Sequence, residues 1–241
     1  MSINKPDPGL PSYKYLDIVT ALFAVTLVTS NVASSAKIVG LGFSAFGMPL
    51  AFDGGTLLFP LSYIMGDILT EVYGFRAARR VIWIGFVCLA LSALMFFLLY
   101  RLPSDPDWEF YAGNSAYKAI LGGMSSGGIV FASLAAYVLG EFSNSVIMSK
   151  MKILFNGRFL WIRTIGSSII GELLDSFVFI SIATLAGVFP RELFLTLILT
   201  NYLLKLSLEV FLTPITCFSA GLLKKAEGAD VYDKGVKYRL F

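Results

Sequence analysis

The sequence predicts an all-α membrane protein of six transmembrane helices, with a hairpin or re-entrant segment between the first two and both termini on the cytoplasmic side. Three observations carry this prediction. Only 15% of the 241 residues are charged while 56% are hydrophobic, and the mean hydropathy is +0.76. A soluble domain needs roughly a quarter of its residues as Asp, Glu, Lys and Arg to cover its surface. The apolar residues gather into runs of bilayer length, and the basic residues gather on alternate connections. The chain has room for about six or seven spans of about 20 residues. Residues 1–241 therefore read as a single integral membrane domain.

The runs are Leu16–Ile38, Leu57–Tyr73, Val81–Tyr100, Gly128–Met148, Ile162–Gly187 and Leu193–Leu223. The first is too long for a signal-peptide core, despite the small residues Ala33 to Ala36, and is kept as a span. The stretch Leu41–Thr56 is apolar too, but Pro49, Asp53 and its glycines suit a hairpin or re-entrant piece better than a seventh span. Pro60 breaks the start of the second span and frees backbone carbonyls there. The longest connection, Arg101–Gly127, ends in Gly123-Met-Ser-Ser-Gly127, whose spacing allows close helix approach. Ala132, Ala136 and Gly140 continue such a face on the fourth span.

Orientation follows from the 19 Lys and Arg. With the N-terminus inside, fourteen lie on the cytoplasmic side, four (Lys37, Arg101, Lys118, Arg191) lie outside, and Lys205 lies within a span. Trp83 and Trp161 then mark the inner membrane surface, and Tyr100, Trp108 and Tyr111 the outer one.

Composition excludes whole chemistries. The chain has no histidine, so it has no Ser-His or Cys-His nucleophile, no HExxH zinc helix and no imidazole relay. Cys88 and Cys217 are far apart in separate apolar runs and make neither a disulfide framework nor a zinc site. No metal or other cofactor is expected. The net charge of +3 sits at helix ends and offers no nucleic-acid footprint. The expected partners are membrane lipid and a small molecule, and a homo-oligomer stays open.

The informative residues are ionisable groups at bilayer depth, each unfavourable by roughly 2.5–3.5 kcal/mol at a helix centre unless it faces protein or water. Tyr63, Asp67 and Glu71 form one stripe on the second span. Ser168, Glu172, Asp175 and Phe179 share a face on the fifth, and Asn201, Lys205 and Glu209 recur every four residues on the sixth. Asn31 lies in the outer half of the first span, and Glu141 with Asn144 in the inner half of the fourth. A rise of 1.5 Å per residue puts Asp67, Asp175 and Lys205 at similar depth, where the lysine can offset the aspartates. Bland alternatives exist for several of these: Lys205 with Glu209 as a helix-stabilising i, i+4 pair, Glu71 as an interfacial group, and the asparagines as interhelical hydrogen-bonding groups.

At Phe59-Pro60-Leu61-Ser62-Tyr63, Asp67, Glu71-Val72-Tyr73-Gly74 and Ala78-Arg79, the pattern FPxxYxxxDxxxEVYGxxxAR resembles the queuosine precursor transporter family, also known as vitamin uptake transporters. Further matches are Asn31 and Lys37 in the first span, Arg163, Ser167 or Ser168 and Asp175 in the fifth, Lys205, Glu209 and Thr213-Pro214 in the sixth, and the tail from Leu223 to Asp233. Where the family often has a Gln and an Asp in the fourth span, this chain has Glu141 and Asn144. The resemblance implies a bacterial inner-membrane importer of 7-deazaguanine bases, such as preQ0, preQ1 or queuine, that feeds tRNA modification. It implies a transporter, not an enzyme.

Such a base presents N1–H and a 2-amino group side by side, and one carboxylate accepts both. Asp67 or Asp175 fits this role; Asn31, Lys205 or Tyr63 could donate to O6 and N3; and Tyr63, Tyr73 and Phe177 are candidates to flank the flat ring. The expected binding set is Asn31, Lys37, Tyr63, Asp67, Glu71, Tyr73, Glu172, Asp175, Phe177, Asn201, Lys205 and Glu209. Two other classes compete. The substrate-binding subunit of an energy-coupling-factor transporter has a similar size, but the AxxxA expected on its first helix is absent. An intramembrane aspartyl protease could use Asp67 and Asp175, but its GxGD signature is unmet at Ile64-Met65-Gly66-Asp67.

Overall fold

The computed structural model describes residues 13–45, 48–125, 127–187 and 191–240. Eight helices follow in order: α1 (Leu16–Ala36), α2 (Phe59–Ile68), α3 (Gly74–Arg101), α4 (Pro106–Tyr111), α5 (Gly113–Ser125), α6 (Gly127–Leu154), α7 (Leu160–Leu185) and α8 (Phe194–Glu227). Five helical stretches are long and apolar enough to cross a membrane: Leu16–Ala36, Phe59–Arg101, Gly113–Leu154, Leu160–Leu185 and Leu197–Glu227. Their outward faces carry exposed Val87, Leu91, Phe131, Leu199 and Phe211, as lipid-facing helices do. Among the described residues the fold is helical except for one antiparallel hairpin between α1 and α2, in which β1 (Ile38–Ala45) pairs with β2 (Met48–Asp53).

The Phe59–Arg101 stretch is one apolar segment but not one straight rod. Pro60 starts α2, where its missing N–H is no loss. After Ile68 the helix widens into a π-turn over Leu69–Tyr73, and Gly74 follows at φ 79°, ψ 169°. A side chain is strained at that angle, and a β-carbon at Gly74 would also stand 2.7 Å from Val231. The chain reverses there, as packing on α6 shows. Gly66 packs on Glu141 and Gly85 on Tyr137, two residues about 6 Å apart along one helix, whereas 19 residues of straight helix would separate the glycines by about 28 Å.

Helices α6 and α7 approach most closely where small residues face each other. A β-carbon on Gly140 would lie 3.1 Å from the Gly171 carbonyl oxygen, and one on Gly171 equally close to the Gly140 carbonyl. Of the GxxxG pair expected to mediate packing, Gly123 does so, with its N–H donating to Ser35 Oγ at 3.0 Å. Gly127 has nothing within 4 Å of a β-carbon.

The core around Phe23, Leu27, Leu69, Val72, Ile82 and Tyr137 joins α1, α2, α3 and α6. At one end of the bundle, Glu227 at the end of α8 accepts the N–H groups of Lys14 and Tyr15, both at 2.7 Å. It thereby serves the unpaired donors at the start of α1. The chain beyond α8 crosses the same end. Val231 N–H donates to the Val72 carbonyl at 3.2 Å, Asp233 accepts from Phe75 N–H and Ser149 Oγ, and the Trp83 indole donates to the Leu240 carbonyl.

Candidate functional site

A cavity of about 480 Å³ lies inside the bundle, walled by α1, α2, α3, α5, α6, α7 and α8. That volume is within the range of small-molecule sites, roughly 300–1,000 Å³. Its wall is mostly apolar, but Asn31, Ser62, Tyr63, Glu141, Asp175, Ser176, Asn201 and Lys205 all face it. The hydroxyls of Ser62 and Ser176 are buried there without hydrogen-bond partners. Lys205 Nζ meets Asp175 Oδ2 at 2.5 Å and stands 5.1 Å above the Phe59 ring. Glu141, only 5% exposed, makes no hydrogen bond among the described residues and is the wall's uncommitted carboxylate.

Three polar tiers descend from this cavity. The upper two lie one helical turn apart, because α2, α6, α7 and α8 carry polar residues three or four apart on their inner faces. The lowest lies deeper, reached by Lys152, Arg163 and Lys224 from about two to four turns further along α6, α7 and α8. The upper tier is Tyr63, Glu141, Asp175 and Lys205 in the wall. The middle tier is Asp67, Asn144, Glu172 and Glu209, each at 2% exposure or less. Asn144 Nδ2 donates to Asp67 Oδ1 at 2.8 Å, while Asp67 Oδ2 and all four oxygens of Glu172 and Glu209 lack a hydrogen-bond partner. Thr164 faces Asp67, and Ser168 faces Glu209, both hydroxyls outside hydrogen-bonding geometry.

The lowest tier is an ion cluster around Glu71. Arg163 grips both carboxylate oxygens of Glu71 through its two terminal nitrogens. Lys224 Nζ reaches Glu71 Oε1 at 2.5 Å and Asp230 Oδ1 at 2.7 Å. Lys152 Nζ donates to the Glu71 carbonyl at 2.5 Å, to Asp230 at 2.6 Å and to the Val231 carbonyl at 2.8 Å. Partial burial pushes the Asp230 carboxyl up, but the hydrogen bonds and charges of Lys152 and Lys224 outweigh it and hold the group below the usual carboxylate range. The π-turn places Glu71 for this cluster, as π-bulges often do at functional positions.

The structure gathers Asn31, Tyr63, Asp175, Asn201 and Lys205 at the cavity and sets Asp67, Glu172 and Glu209 one turn deeper. The rest of the expected set lies elsewhere. Glu71 is absent from the cavity wall and is buried with Arg163. Tyr73 belongs to the same end, donating to Glu227 at 2.7 Å and lying edge-on to Tyr13. Lys37 is exposed at the end of α1. Phe177 is 50% exposed, because two residues of helix turn it about 200° away from Asp175. The aromatic side chains in the cavity wall are Phe59, Tyr63, Tyr137 and Phe179. Lys205 forms an ion pair with Asp175, and neither Glu209 oxygen takes a hydrogen bond from it. Asp67 and Asp175, engaged by Asn144 and Lys205 respectively, have separate partners, unlike a dyad sharing a proton.

Sequence reasoning underweighted α6. Tyr137, Glu141 and Asn144 recur at spacings of four and three, the signal that singled out α2 and α8. In the sequence Arg163, Lys152 and Lys224 fall among the fourteen cytoplasmic-side charges, and no local pattern marks them as sharing one carboxylate.

Fold and cavity together define a multi-pass helical membrane protein with an internal polar site for a small molecule. The chain belongs to the family described as "Putative vitamin uptake transporter", which matches residues 53–219. It is similar to a "Probable queuosine precursor transporter" of Bacillus subtilis, with 27% identity over 66% of this chain and 68% of that one. It is also similar to the protein of the same description from Haemophilus influenzae, at 26% identity over 66% of this chain and 63% of that one. The Escherichia coli "Queuosine precursor transporter" matches at 22% over 84% of this chain and 85% of its own length. No solved structure matches the chain significantly.

Proposed function

We propose that the chain is a bacterial inner-membrane importer of 7-deazaguanine bases, folded as one 241-residue unit with six crossings and both termini cytoplasmic. The reversal at Gly74 supports two crossings within Phe59–Arg101, and the excess of basic residues at the tail-bearing end supports its cytoplasmic placement. On that orientation the cavity occupies the outer half and the Glu71 cluster closes the inner half.

The observation that carries the proposal is a cavity of about 480 Å³ whose wall combines an uncommitted buried carboxylate, Glu141, with amide and hydroxyl donors and four aromatic rings. Glu141 accepts N1–H and the 2-amino group of the base. Asn31, Asn201 and Tyr63 supply donors for O6 and N3, and Phe59, Tyr137 or Phe179 flank the ring. Release inward requires the Glu71 ion cluster to part, so the two ends open alternately around a fixed site.

The test is a bacterium lacking both queuosine synthesis and its own importer, given this gene and fed each precursor separately at low concentration. Queuosine should appear in tRNA with at least one base, and Glu141→Gln should reduce it at least about tenfold while membrane insertion stays intact. No restoration by a correctly inserted protein would favour a subunit that needs an ATPase partner, or a different cargo.

A further inference from the structure

Among the described residues the middle tier contains three carboxylates and no cation. Glu172 of α7 and Glu209 of α8 are each 1% exposed, and none of their four oxygens is hydrogen-bonded. Every element packed against them adds acid or neutral groups. Asp67 faces them from α2, and Glu141 from α6; Asn144 of α6 lies in the same tier. From α7 itself come Ser168 and Asp175. The nearest cation is Lys205 of α8, whose ammonium is engaged by Asp175 one tier higher. Arg163, Lys152 and Lys224 are held by Glu71 and Asp230 one tier lower. Among the described residues no three His, Cys, Asp or Glu side chains are grouped to hold a metal ion.

We infer that Glu172 and Glu209 form a proton-binding site that couples import to inward proton movement. An ionised carboxylate buried without a partner is unfavourable by several kcal/mol, so the pair persists in this arrangement by carrying protons. Lys205 supplies the link to the cavity. It lies one turn from Glu209 on α8, an i, i+4 neighbour. When a bound base competes for Asp175, the ammonium of Lys205 can swing to Glu209. The Glu209 O–H bond then breaks, the carboxylate keeps the electron pair and accepts the ammonium, and the proton leaves to water on the cytoplasmic side as the inner end opens. Charge balances at each stage, and no other reactant is needed. The buried, unpartnered hydroxyls of Ser168 and Thr164 mark the face of α7 that leads from this pair towards Arg163.

This inference rests on the transport reading above, and one experiment separates the two. Purified full-length protein is reconstituted in vesicles with the membrane potential clamped at zero and labelled 7-cyano-7-deazaguanine as probe. Counterflow exchange without any gradient tests transport itself. Uptake is then measured under an inward proton gradient of one pH unit, with and without protonophore, and under a sodium gradient at equal pH. The expected wild-type result is counterflow, accumulation of up to about tenfold for one proton per base, its loss with protonophore, and no response to sodium. In Glu209→Gln, and separately in Glu172→Gln, accumulation relative to each variant's own counterflow should fall to about onefold. Counterflow without a pH response in the wild type, or an undiminished response in both variants, overturns proton coupling while leaving transport standing. Absence of wild-type counterflow overturns the transport reading, and the coupling with it.

Discussion

Replacing Glu71 by glutamine tests whether the lowest tier is a lock or merely a charged surface. Arg163 is 0% exposed and its two terminal nitrogens rest on Glu71; its other partners are the Arg158 and Gly157 carbonyls at 3.1 and 3.2 Å. Lys152 and Lys224 keep Asp230, so Arg163 is the cation left uncompensated. Removing one member of a buried ion pair destabilises by about 3–5 kcal/mol. For a chain of this size that corresponds to a fall in Tm of roughly 6–20 °C. The assay is thermal unfolding of the detergent-purified protein, followed by loss of the monodisperse peak. Arg163→Met should fall similarly, and the double variant should recover most of the loss, because neither charge is then orphaned. A Glu71→Gln shift under about 2 °C, or strictly additive single and double variants, would refute the buried lock.

Breaking the cavity pair with Asp175→Asn or Lys205→Ala should each weaken uptake roughly ten- to hundredfold, as expected for a charged hydrogen bond, and the double variant should regain part of the loss in the same uptake assay. Gly171→Ala places a β-carbon 2.8 Å from Asn144 Cβ and should destabilise by about 1–3 kcal/mol, whereas Gly221→Ala, with nothing within 4 Å, should leave Tm equal or slightly raised; the comparison is one thermal scan of both. Asp230 binds its proton less readily when folded, so its contribution is present above about pH 4, the unfolded value, and is lost as pH falls through the lowered folded value. Proteolysis of the tail at Lys234 and Lys237 should therefore be flat from about pH 8 to 5, and Asp230→Asn should speed cleavage across that whole range.

Most of the helical plan was legible because span length and side-chain period are local properties. The stripe Tyr63, Asp67, Glu71 sits on one inner face because four residues make about one turn, and the Lys205–Asp175 pair follows from depth counting. The destinations of charges were less legible. Arg163 and Lys224 lie 61 residues apart in sequence yet converge on Glu71, and only the packing of α2, α7 and α8 brings them there. Phe177 misled for the opposite reason: an aromatic residue near a site aspartate looks like a stacking partner, but helical phase turns it outwards. Glu141 could have been ranked higher from its spacing to Tyr137 and Asn144.

The most direct test of the central claim is equilibrium binding of 7-cyano-7-deazaguanine to the purified protein by calorimetry, with adenine as comparison and Glu141→Gln as variant. The account predicts saturable one-to-one binding, no measurable adenine affinity, and at least about tenfold weakening in the variant. Equal affinity for adenine, or unchanged binding by Glu141→Gln, would contradict a guanine-edge site at Glu141.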